Sequence, residues 1–82
     1  MDQAKGRRFH EPVRFSVNGN AIEVEYLADA GRLLLEQWPL QTIRRRRAMR
    51  LVLAALRDER PISDARQAFI DATVELKILK AA

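Results

Sequence analysis

The chain has 82 residues, 48% hydrophobic and 32% charged, with a formal net charge of +4 and no cysteine. One domain is expected, and a chain of this length buries only roughly 60 to 65% of the surface its unfolded form exposes, which leaves little room for a deep active-site cavity. The lack of cysteine excludes disulfides, thiolate metal ligands and a thiol nucleophile, and fits a reducing compartment. The apolar run before Trp38 is too short to span a bilayer. The opening Met1 to Arg8 is charged with no hydrophobic segment behind it, so a cytoplasmic protein without signal peptide or membrane contact is expected. Twelve of the fifteen basic residues are arginine, whose planar guanidinium forks onto phosphate and carboxylate.

Residues 1–11 read as a flexible basic arm, polar and without periodicity, that stops at Pro12. His10 at the end of that arm has no second ligand at metal spacing and reads as a solvated loop residue. Residues 12–82 read as a single α+β domain. From Val13 the residues alternate: Val13, Phe15 and Val17 share one face, Asn18-Gly19 supplies a two-residue turn, and Ile22, Val24 and Tyr26 alternate against Glu23 and Glu25. This pattern predicts an antiparallel β-hairpin whose apolar face needs helices to cover it, with Glu23 and Glu25 near Arg14 on the outer face.

Leu27, Ala30, Leu33, Leu34 and Gln37 follow helical spacing, with Asp29 in the first turn. This helix closes at Trp38-Pro39, because proline disfavours helical geometry in the residue before it. Trp38 reads as a plug between helices, and Gly31, costing about 1 kcal/mol relative to alanine, points to a close neighbour such as a hairpin side chain.

A central helix is expected from about Thr42 to Asp58. Ala48, Met49, Leu51, Val52, Leu53, Ala55 and Leu56 cover an apolar arc of about 200°, wide enough to face two layers or a second subunit. Its start is the unbroken run Arg44-Arg45-Arg46-Arg47. With Thr42 as N-cap, those charges sit beside the positive end of the helix dipole, opposed by about 0.3 to 1 kcal/mol for each charge nearest the end. A carboxylate elsewhere in the fold or an external anion would relieve this. Arg44, Arg45, Arg46, Arg47 and Arg50 are therefore the candidate anion-binding or partner-binding residues, with a solvated helix face as the alternative.

Arg60-Pro61 ends that helix. Ser63 reads as the N-cap of a third, Asp64 complements its dipole, and Ala65, Ala68, Phe69, Ala72, Thr73 and Leu76 form one buried stripe. Arg66 and Asp71 lie off the stripe, facing water. The pattern does not choose a helix or an extended tail after Leu76.

This order of elements has a match. A hairpin, a Leu-Leu helix closed by Trp38-Pro39, an arginine-rich start to an alanine-rich helix, and Asp64-Ala65-Arg66-Gln67-Ala68-Phe69-Ile70-Asp71-Ala72 together resemble the small bacterial family catalogued as domain of unknown function 982. The resemblance spans Val13 to Leu79, strongest over Leu34 to Pro39 and Ala65 to Ala72, with Arg66, Ala68 and Phe69 matching the family's "Ala-Arg, then Ala-Phe" pattern. The chain departs from it where the family has a glycine between the second and third helices: the link is Asp58-Glu59-Arg60-Pro61. The resemblance implies an α+β fold and carries over no activity, cofactor or functional residue.

Two classes of function remain. One is a non-catalytic interaction or regulatory module, monomeric or a weak homodimer; the other is a nucleic-acid-binding accessory protein using the arginine face, so the partner classes are an acidic protein or nucleic acid. An enzyme is not expected, since Ser16 and Ser63 are explained by strand and cap positions and no cofactor motif is present.

Overall fold

The computed structural model describes residues 6–17 and 19–81, with side chains as far as Leu76. The alternating stretches form two strands, β1 (Arg8–Val17) and β2 (Asn20–Tyr26), paired antiparallel in one hairpin. Val17 pairs with Asn20, so two residues make the turn, and Gly19 takes a φ of 82°, which glycine adopts without steric cost; Asn18 lies outside the described residues. Arg14 stands directly opposite Glu23 with its guanidinium 2.9 Å from the carboxylate, while Glu25 pairs with Arg8 at 3.1 Å rather than with Arg14. Both pairs are solvent-exposed and contribute at most about 1 kcal/mol each.

The first strand starts at Arg8, not at Val13, so residues 8–11 belong to the hairpin and not to an arm; residues 1–5 lie outside the described residues. The register explains how a strand runs through Pro12. Between the pairs Arg8–Tyr26 and Val13–Val24 the ladder is irregular, with five steps along β1 matched to two along β2. A bulge of this kind needs no N–H from the proline, which is why proline is tolerated there. The bulge turns Phe9 inward, where it is buried and stacked on Phe69 at 5.9 Å. His10 is exposed on the strand itself.

β2 runs directly into α1 (Leu27–Arg32), which widens into a π-helical turn over Leu33–Gln37. Leu27, Ala30 and Leu34 are fully buried, whereas Gln37 is exposed. Trp38 then adopts extended geometry (φ −77°, ψ 125°), as the residue before Pro39 must. Gly31 faces Val52 of the helix that follows rather than the hairpin. A methyl group there would lie 3.5 Å from Val52 Cγ1, an ordinary contact, so packing does not require the glycine.

Helix α2 (Ile43–Leu56) ends in a Schellman turn, in which Glu59 N–H donates to Ala54 O at 2.8 Å and Asp58 N–H to Ala55 O at 3.1 Å. The residue in the left-handed position is Asp58, with φ 61°. The place where a glycine is missing from the link is thus the place where the backbone favours one. Helix α3 (Ile62–Ala81) follows and continues helically past Leu76. It starts one residue before Ser63, so Ser63 lies in the first turn and is not the N-cap; Asp64 N–H donates to Pro61 O at 3.1 Å instead. Arg66 is also more engaged than its place off the stripe implies, since its Nε–H donates to Glu11 O at 3.0 Å and ties α3 to β1.

The core lies where the hairpin, the Trp38 corner and α3 meet. Phe69, fully buried, has Phe15 at 5.6 Å edge-on, Trp38 at 5.6 Å and Phe9 at 5.9 Å, so four of the five aromatic side chains form one cluster. Around it, Ala65, Ala68 and Ala72 of α3 and Ala48 and Ala55 of α2 are all buried, and small side chains let the two helices pack closely. The Trp38 indole N–H has no hydrogen-bond partner among the described residues, so the ring is held by its packing.

Two outcomes follow. Phe69→Ala should cost about 3 to 5 kcal/mol, and an unchanged melting temperature would show that the cluster is not the core. Asp58→Gly should raise stability by about 0.5 to 1 kcal/mol by removing a Cβ from a left-handed residue, offset in part by loss of the exposed Arg7–Asp58 pair at 3.3 Å; urea melts should show no such gain for Asp58→Ala.

Candidate functional site

The basic run divides once it is folded. Thr42 is the N-cap of α2, its Oγ1 accepting from Arg45 N–H at 3.3 Å. No acidic residue lies in the first turn of α2. The complement to the dipole comes from α3, where Glu75 accepts a short hydrogen bond from the Thr42 hydroxyl and Asp71, one turn earlier, reaches to 3.9 Å from Arg47. The strain that the arginine run places on the start of α2 is therefore met by carboxylates from the fold itself.

Arg45 has an internal task. Its Nε–H donates to Leu34 O at 2.9 Å. In a π-helical turn Leu34 O would accept from the N–H five residues on, and that residue is Pro39, which has none. Arg45 supplies the missing donor and fastens α2 to the end of the π turn.

Arg44, Arg46 and Arg50 are exposed, and their side chains make no hydrogen bond or ion pair among the described residues. Arg46 and Arg50 stand one turn apart, and Leu53 and Arg57 continue their row at positions i+7 and i+11. Together with Arg45 and Met49 they line a shallow groove of about 290 Å³ along the outer side of α2. Arg57, whose partner among the described residues is the exposed Glu59 at 3.5 Å, was not among the residues expected from sequence; the row Arg46, Arg50, Arg57 was the signal for it. Arg44 does not line the groove, and Arg47 lines a separate shallow one with Arg50, Leu51, Ala54 and Arg60.

The apolar arc of α2 is narrower in burial than in sequence. Ala48, Leu51, Val52 and Ala55 are buried and Met49 is partly covered, but Leu53 and Leu56 remain 40% and 36% exposed. Two layers, α1 and α3, cover the inner part of the arc and leave its edge to solvent beside the arginines.

Residues 11–80 match the family described as Protein of unknown function (DUF982). The chain belongs to the DUF982 family. No curated protein and no solved structure matches it. The match takes in every element of this DUF982 domain except the first residues of β1 and the last of α3, so both the arginine row and the Asp58 turn lie inside it.

A further concave region of this DUF982 domain lies between β1 and α3, an open cleft of about 470 Å³ lined by Arg8, His10, Ile62, Ser63, Arg66 and Gln67. Arg8 and Arg66 are already engaged there, with Glu25 and Glu11 respectively. Among the described residues no group of three His, Cys, Asp or Glu side chains could hold a metal ion, and no helix is long and apolar enough to cross a membrane.

The division of the basic run has a direct consequence for stability. Arg45→Ala leaves the Leu34 carbonyl without its donor and should cost about 1 kcal/mol, whereas Arg46→Ala and Arg50→Ala should stay within about 0.5 kcal/mol of the parent. Denaturant melts of the three variants should separate one from the other two.

Proposed function

We propose that this DUF982 domain is a non-catalytic interaction module that engages a partner protein through the outer side of α2. The observation that carries the reading is the row Arg46, Arg50, Leu53 and Arg57, in which arginines with no carboxylate partner among the described residues, or an exposed one, flank an apolar side chain left 40% exposed. Uncompensated charge beside uncovered apolar surface is the make-up of a protein interface, in which arginine is enriched and a small apolar centre is rimmed by polar groups. The region that could host chemistry offers less: the cleft at His10 and Ser63 is open to solvent and both residues are exposed. A cytoplasmic setting accompanies this reading.

Nucleic-acid binding is the second reading, favoured by Arg44, Arg46 and Arg50 taken alone. Two observations weigh against it. Phe9, Phe15, Trp38 and Phe69 pack into the core and present no ring for bases to stack on, and phosphate contacts make no use of Met49 or Leu53.

Capture of partners from a nuclease-treated lysate of the source cells compares the two. The module reading predicts a protein that is retained by the parent chain after nuclease and lost by Arg46→Glu/Arg50→Glu. Retention abolished by nuclease, with salt-sensitive binding of duplex DNA or RNA in a gel shift, would replace it with the second reading.

A further inference from the structure

We infer that the partner element docked on α2 is an α-helix that is both acidic and amphipathic, an inference that rests on the interaction reading above. Its first support is spacing. Arg46, Arg50 and Leu53 lie on α2 and Arg57 is its C-cap, and the row covers three turns, about 16 Å at 1.5 Å per residue. A helix lying at a shallow angle presents its own side chains with the same period of about 5.4 Å and stays in step along that length, its i±4 ridge seated beside the row. An extended strand repeats every roughly 6.7 Å on one face and drifts out of step within two turns.

Its second support is charge. Arg46 and Arg50 have no carboxylate partner among the described residues, and Arg57 has only the exposed Glu59 at 3.5 Å. Glutamates or aspartates one turn apart on the incoming helix would supply the bidentate acceptors that guanidinium favours. A second copy of this chain does not fit, because a twofold interface through this row would set the arginines of one copy against those of the other.

Its third support is the apolar strip. Met49, Leu53 and Leu56, at i, i+4 and i+7, run beside the arginines, with Leu53 and Leu56 40% and 36% exposed. An acidic helix without apolar residues would leave that strip wet. One with leucines at the same spacing covers it, in the manner of helix-in-groove recognition.

The test uses the full chain and four probes: a helical peptide of about five turns with a leucine stripe flanked by glutamates, the same peptide with serines for the leucines, the same peptide with lysines for the glutamates, and duplex DNA. Fluorescence anisotropy measures binding, and an amide spectrum locates it. The inference predicts saturable binding of the first peptide, shifts centred on residues 46–57, and affinity at least about tenfold weaker for both altered peptides and for DNA. It also predicts a loss of at least about tenfold in Arg46→Glu/Arg50→Glu and in Leu53→Asp, with the amide spectra of both variants showing an intact fold. Equal binding of the serine peptide or of DNA would overturn it by reducing the surface to an anion patch. Failure of the first peptide to bind would overturn it too, while a protein retained from nuclease-treated lysate in an arginine-dependent way would leave the interaction reading standing.

Discussion

The fold depends on one side chain, the ring of Phe69. It is the point at which three separate parts of the chain meet: Phe9 and Phe15 come from β1, Trp38 from the corner after α1, and Phe69 itself from α3. A two-stranded ribbon is marginal in water, and this hairpin gains its stability by laying its apolar face on that ring. Aromatic contacts of this kind contribute roughly 0.5 to 1.5 kcal/mol per pair beyond the area they bury, which is a large share of the margin of so small a domain. With the aromatics committed to the core, α2 and α3 pack through alanines, and the outer side of α2 is left to arginine and to a few uncovered aliphatic side chains.

The basic start of α2 shows how tertiary structure answers a local conflict. Four consecutive arginines at the positive end of a helix are unfavourable if the helix is considered alone. In the folded chain Glu75 bonds the capping threonine and Asp71 approaches Arg47, so α3 brings the missing negative charge to the end of α2. Arg45 turns inward for a different reason: Pro39 cannot donate to the Leu34 carbonyl, and the Arg45 guanidinium does. What remains after these two adjustments is Arg44, Arg46 and Arg50, charges for which the described fold has no use. The proposed function starts from that remainder.

Much of this architecture was legible in the residues. The period of two from Val13 to Tyr26, the Asn18-Gly19 turn, the Trp38-Pro39 corner and the stripe through Phe69 marked the hairpin and the helices, and Thr42 was recognisable as a cap. The start of β1 was not, because Pro12 interrupts the pattern and only the pairing across the sheet reveals that a bulge absorbs it. The earlier start of α3, at Ile62, escaped because Ser63 is a good cap by composition, and composition does not register that the backbone of Pro61 already accepts from Asp64. The candidate site was half legible. Sequence marked the run as a unit, yet the division between Arg45 and its neighbours depends on a carbonyl eleven residues away, and the pairing of Arg47 on α3. Long-range partners of this kind leave no local trace.

The central claim is that Arg45 is built into the fold and Arg47 is paired with α3, while the side chains of Arg44, Arg46 and Arg50 have no partner among the described residues. Hydrogen exchange at the arginine Nε–H groups tests it most directly, because each guanidinium reports its own hydrogen bonding. The account predicts a protected Nε–H for Arg45, bonded to the Leu34 carbonyl, and exchange at the rate of a free side chain for Arg46 and Arg50. Equal exchange across the whole run, or protection at Arg46 and Arg50 in the isolated protein, would contradict it.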